Sequence, residues 1–200
     1  MNSNMIRVST DGFQCVDDAY VFGLENAVEG SKYPMLVDIA KANADLTDTV
    51  DRLATSELGH GHDQFLTGIV VQLDLTLSIK AWVEAERYHF LDFISSQSTM
   101  HRIAKMDIRK QCNGYVTEST LKEVERLKEQ YLKEPTIESY LVLLYNVPVG
   151  FMLTAKMTTN YRQLKTIYQQ RKNHRLPEWR ELCNWLETLP CSHFITGVGR

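Results

Sequence analysis

Between Ile69 and Leu77 the chain alternates: Ile69, Val71, Leu73, Leu75 and Leu77 are apolar, with Gln72, Asp74 and Thr76 among the residues between them. A two-residue period of this kind predicts a half-buried antiparallel strand. In GFMLTAKMTTN, Phe151, Leu153, Ala155 and Met157 alternate in the same way and predict a second strand. Elsewhere the period is helical. TESTLKEVERLKEQYLKEP places Leu121, Val124, Leu127 and Tyr131 on one line with charges opposite, the pattern of an exposed amphipathic helix. TIESYLVLLYNVP predicts a more buried helix ended by Pro148, and further helices are expected over about residues 160–172 and 177–189, with Pro177 in a first turn. YPMLVDIAKANADL and LTDTVDRLATSELGHG predict two short helices. In the second, Leu46, Val50 and Leu53 have helical spacing, Thr47 or Asp48 can cap, and Gly59 can stop it. Antiparallel-type strands among many helices predict an α+β fold, an antiparallel sheet with several flanking helices. With no linker or internal repeat, residues 1–200 are expected to form a single domain.

The first strand runs directly into a helical stripe of Ile79, Trp82, Val83, Phe90, Phe93 and Ile94, which SSQST then breaks. Inside it stands AERYHFLDF. At about 100° per residue, Glu86 falls in the middle of the stripe, with Arg87 and His89 at its borders. A carboxylate on a core face is costly unless paired. Either the helix ends here or Glu86 meets an arginine elsewhere, or the stretch is the wall of a site. A second candidate lies downstream. Asn160, Leu164, Ile167 and Arg171 share one helix face, so Arg171 points with the apolar stripe. It either snorkels to solvent or brings a guanidinium to a pocket, suited to a carboxylate, a phosphate or a base carbonyl.

Composition narrows the partners. A net charge of −3 gives no reason to expect nucleic acid, and 44% hydrophobic with 24% charged residues is usual for a soluble globular protein. Cys15, Cys112, Cys183 and Cys191 show no CxxC spacing, which predicts reduced thiols and a cytoplasmic location. MNSNMIRVST lacks the apolar core of a signal peptide, and no run nears the roughly 18 apolar residues of a membrane span. His60 and His62 flank Gly61, but two histidines alone read as a loop and no metal set is expected. P-loop, GxGxxG and GxSxG motifs are absent.

Taken in order, these segments resemble the flavin-dependent thymidylate synthases. In that family an HGH-type turn leads into an alternating strand, then to an Arg-His-Arg triplet and, after seven residues, a serine. Here HGHDQF, IVVQLDLTL and the triplet Arg87, Tyr88, His89 follow in that order. NYRQLKTIYQQRKNHRLPEW resembles the family's Asn-x-Arg, Leu and Arg series with its following His and Trp. The resemblance covers roughly residues 46–190. The triplet departs from Arg-His-Arg, Gln97 takes the serine position between Ser96 and Ser98, and Ser139–Pro148 lacks the family's phosphate-binding basic residue.

The resemblance implies reductive methylation of a pyrimidine nucleotide, dUMP to dTMP or a related reaction. FAD would be the cofactor, with NADPH and methylenetetrahydrofolate as co-substrates and no cysteine nucleophile. It implies Arg171 as the catalytic cation. His62, Arg87, Tyr88, His89, Asn160, Arg162 and His174 would hold the cofactor, and Glu84, Arg87, Ser96, Ser98 and Arg171 the substrate. It further implies a homotetramer with active sites shared between subunits. A homologue that binds a nucleotide or a partner without synthase activity, or a flavin enzyme with another substrate, fits the departures.

Overall fold

The structure, a computed structural model, describes residues 5–8 and 15–197. Most of the amino-terminal stretch read for a leader lies outside the described residues. Five strands form one antiparallel sheet in the order β1-β2-β3-β5-β4: β1 Met5–Val8, β2 Val16–Phe22, β3 Val70–Ser78, β4 Asp92–Ser96 and β5 Met152–Asn160. Between β2 and β3 lie α1 (Leu24–Ser31) and α2 (Asp48–Ala54), and α3 (Ile79–Ala85) follows β3 without a loop. After β4 come α4 (Thr99–Arg102), α5 (Ile108–Gln111), α6 (Glu118–Lys133) and α7 (Ile137–Tyr145). The chain then re-enters the sheet as β5 and closes with α8 (Tyr161–Arg171), α9 (Pro177–Leu186) and α10 (His193–Thr196).

The alternation near residue 70 becomes the central strand. β3 pairs with β5 from Val70↔Asn160 to Ser78↔Met152, and Val71, Leu73, Leu75 and Leu77 are buried. Their face meets Leu164, Ile167, Trp179 and Trp185 from α8 and α9, which form the main core with them. A smaller cluster of Ile103, Ile108, Val124, Leu127, Leu143 and Phe151 lies beneath α6 and α7, and Leu153 packs against both. Of the two caps considered for α2, Thr47 is used, accepting from Val50 N–H. Thr117 likewise caps α6 through Thr120 N–H, and Asn160 caps α8 through Gln163 N–H rather than lying on its face.

Four expectations are corrected. The helix expected to continue from Ile79 through Ile94 stops at Ala85, with Glu86 as its C-cap, and the chain turns through Tyr88 N–H to Ala85 O and Leu91 N–H to Tyr88 O. Phe93 and Ile94 belong to β4, where pairing such as Phe93↔Met157 outweighs the local helical period. The helix expected over 33–46 is replaced by two short 3-10 turns, Tyr33–Met35 and Ile39–Lys41. Leu36 between them is extended, and the Asp38 side chain accepts from Ala40 N–H, a local bond that competes with helix. α2 ends at Ala54 with Thr55 as C-cap, before Gly59, which sits in the following loop at φ 100°. Finally, α7 is not a buried helix: of its residues only Leu143 is buried, while Ile137, Leu141, Val142 and Tyr145 are exposed.

Candidate functional site

Where α3 stops, its last turn faces the end of α8 and the start of α9. Arg171 occupies the meeting point with only 11% of its side chain exposed. Its Nη1 donates to Glu84 Oε2 at 2.9 Å and its Nε to the Tyr88 hydroxyl at 2.7 Å. The guanidinium carbon lies 4.8 Å from the Trp179 ring centre, a cation–π contact, and Trp179 Nε1 donates to the same Glu84 oxygen at 3.1 Å. His174 completes the group, with Nε2 2.9 Å from Arg171 Nη1 and 3.4 Å from Glu84 Oε2, while Leu176 N–H donates to its Nδ1. The position of Arg171 on the inner face of its helix is thus explained by a partner 87 residues away.

The cluster is electrostatically biased. Burial resists ionisation of Glu84, but the Lys80 hydrogen bond and charge, then His174 and Arg171, outweigh it and hold its carboxyl below the usual range. Glu84 therefore balances one of two cations, Lys80 and Arg171, and a net positive charge remains before His174 is counted. Arg171 Nη2 has no hydrogen-bond partner among the described residues. A largely buried guanidinium braced on an indole, with one donor edge unpaired among the described residues, is equipped to meet a carbonyl or an anionic oxygen.

The other sequence candidates lie apart from this cluster. Glu86, Arg87 and His89 are all exposed, whereas Tyr88 between them is buried and also donates to Gln170 Oε1. The helix end, not a core-facing carboxylate, accounts for Glu86. Ser96 lies in exposed β4; Ser98 precedes α4 without capping it. Asn160 and Arg162 line a cleft of about 310 Å³ together with Phe90, the residue that follows the triplet. His62 lines a different cleft of about 650 Å³ with Phe65 and Leu53, and Gln64 and Thr67 border both.

Two features were missed by sequence reasoning. Trp179, noted only as a Trp of the resemblance and given no role, is the floor beneath Arg171. Asp63, fully buried, receives Arg162 Nε at 3.1 Å and Lys165 Nζ at 3.0 Å, which ties the HGHD turn to α8. The signal was available in the spacing of Arg162 and Lys165, three residues apart and so on one side of α8. Both Nη groups of Arg162 lack a hydrogen-bond partner among the described residues, so this bond positions the guanidinium and leaves its outer edge available. Burial, followed by nearby carboxylate charge, pushes the Cys15 and Cys183 thiols up to about 12, so neither supplies a ready thiolate.

No protein-family model matches the chain, and no curated protein matches it. Solved structures do. The flavin-dependent thymidylate synthase ThyX from Helicobacter pylori, complexed with FAD and dUMP, superposes with a TM-score of 0.69 over 88% of this chain and 94% of its own, at 14% identity. A second structure of the Helicobacter pylori enzyme with FAD and dUMP gives 0.69 over 88% and 93%, at 15% identity. The chain has the fold of these flavin-dependent thymidylate synthases.

Proposed function

We propose that the protein is a flavin-dependent enzyme that methylates a pyrimidine nucleotide, dUMP or a close relative. The observation that carries this reading is the convergence of Glu84, Tyr88, Arg171 and His174 on one cluster in a fold that matches these synthases over 88% of the chain. Arg171 supplies a fixed positive charge through its free Nη2, suited to a pyrimidine oxygen on which negative charge develops. Trp179 and Tyr88 brace the guanidinium and keep water from its buried side. Glu84 fixes its orientation and offers substrate N–H groups an acceptor.

Part of the set suits an FAD cofactor. Arg162, beside Asn160 in one cleft, offers a guanidinium edge suited to its diphosphate, and His62 lies in the adjoining cleft. By the family resemblance, exposed Arg87 and His89, and Tyr88 and His174 of the Arg171 cluster, would complete the cofactor set. Bound and reduced, FAD supplies hydride; NADPH is its reductant and methylenetetrahydrofolate the one-carbon donor. Ser96, exposed in β4, and the half-buried Ser98 after it serve the nucleotide, and Glu84 and Arg87 serve the site of a neighbouring subunit of a homotetramer. The unbridged thiols of Cys15, Cys112 and Cys183 suit a reducing cytoplasm. No helix among the described residues is long and apolar enough to cross a membrane.

Two observations favour a second reading, a homologue that binds a nucleotide without synthase chemistry. Arg171 is already paired with Glu84, and α7 carries no basic residue for a phosphate. NADPH oxidation by the FAD-loaded protein separates the two. A dependence on both dUMP and methylenetetrahydrofolate supports the enzyme. FAD and nucleotide binding without that oxidation supports the second reading.

A further inference from the structure

Glu178 is a buried carboxylate that neither the fold nor the Arg171 cluster employs. It is 4% exposed, and its Oε2 is sealed from solvent without a hydrogen-bond partner. It has no ion-pair partner among the described residues. The nearby cations are engaged elsewhere: Lys80 Nζ holds Glu84 at 2.9 Å, and Arg180 Nη1 donates to the carbonyls of His174 and Arg175. An uncompensated carboxylate in such a position is costly and calls for a partner. Its place in the first turn of α9, at the positive end of the helix dipole, favours the negative charge without neutralising it. The charge is felt by Glu181, whose carboxyl is raised first by burial and then by Glu178, with Arg180 offsetting only part.

Glu178 lines a cleft of about 340 Å³ between the start of α9 and the loops on either side of α6 and α7. The other walls include the apolar surfaces of Tyr115, Val149, Leu176 and Pro177. They are preformed. Asn113 N–H donates to Gly150 O at 2.9 Å, and the two loops pack so closely that a Cβ on Gly150 would lie 2.6 Å from Val116 Cγ2. Lys80 also lines the cleft, but its ammonium is held by Glu84 at 2.9 Å. A rigid, mainly apolar cleft whose one carboxylate has no ion-pair partner among the described residues, and whose one lysine is already paired, selects for a positive charge on a short apolar body.

We propose that this cleft binds a small organic cation, with Glu178 as its counter-ion. The site touches the Arg171 cluster only through Lys80, which lines the cleft and holds Glu84, and it does not depend on the flavin reading. Ligand-observed NMR on the full chain, titrated at constant ionic strength with n-butylammonium and in parallel with neutral n-butanol, tests it. The expected result is saturable binding of n-butylammonium at least tenfold tighter than n-butanol, weakened at least tenfold by Glu178→Gln. Equal affinity for the two probes, no saturable binding, or unchanged binding in Glu178→Gln overturns the proposal. Val149→Trp gives an independent arm, because Val149 is 64% exposed and its replacement fills the cleft without a burden on the core. Loss of n-butylammonium binding in the folded Val149→Trp protein supports the site, and retention overturns it.

Discussion

In the proposed function Arg171 has two tasks, because the guanidinium that would meet a ligand also closes the joint between α3, α8 and α9. Arg171→Ala removes charge-assisted bonds to Glu84 and Tyr88, the first an ion pair only 11% exposed at Arg171 and 14% at Glu84. It is expected to cost about 2–3 kcal/mol of stability, read by chemical denaturation, as well as ligand-dependent activity. Glu84 adds a pH dependence whose sign follows from its lowered carboxyl. Ionised Glu84 stabilises the fold above its ordinary value of 4.5, and the contribution is lost as acid protonates it through its lower folded value. Wild-type stability should therefore fall towards that of Glu84→Gln as pH drops below about 4.5, and a constant difference between the two proteins contradicts the assignment. At this scale the sequence was half legible. The spacing from Asn160 to Arg171 put the arginine on an inner face, but periodicity carries no information about a partner in another helix. Glu84, Tyr88 and His174 came through resemblance, and so did Trp179, but its place beneath Arg171 came only through the packed structure.

Elements whose burial pattern is set within the element itself were read correctly. β3, β5, α6 and α8 each carry a clean period of two or of 3.6 and lie within a residue or two of expectation. β4 was lost because its state is decided by β5: Asp92–Ser96 completes the sheet edge, and its local pattern continues the helical stripe of α3. α7 misled in the opposite direction, since an apolar run predicts burial only when something covers it. Gly23 tests another contact decided at the level of elements. At φ 76° it turns β2 into α1, and a Cβ there would lie 2.5 Å from Gly68 O, a backbone atom with little room to yield. Gly23→Ala is expected to lower stability by about 2 kcal/mol or more, whereas Gly30→Ala, in open space, should leave it unchanged or slightly raised. A small effect at Gly23 in thermal or urea unfolding contradicts the close approach of α1 to the Gln64–Gly68 turn.

Over the whole molecule, the sheet presents an exposed edge. β4 pairs on one side only, and Phe90, Phe93 and Ile94 are each more than half exposed. Together with the exposed apolar side chains of α7, this is more surface than scattered single residues account for, and it motivates the assembly proposed above. Phe93→Asp should shift the protein to a smaller species in analytical ultracentrifugation while its circular dichroism is retained; a wild-type monomer contradicts the assembly. The central claim is that this fold holds a flavin. Its most direct test is an absorbance titration of the purified, cofactor-stripped protein with FAD. Saturable binding with a perturbed flavin band, weakened by Arg162→Ala, is the predicted result, and a free-flavin spectrum at every protein concentration would contradict it.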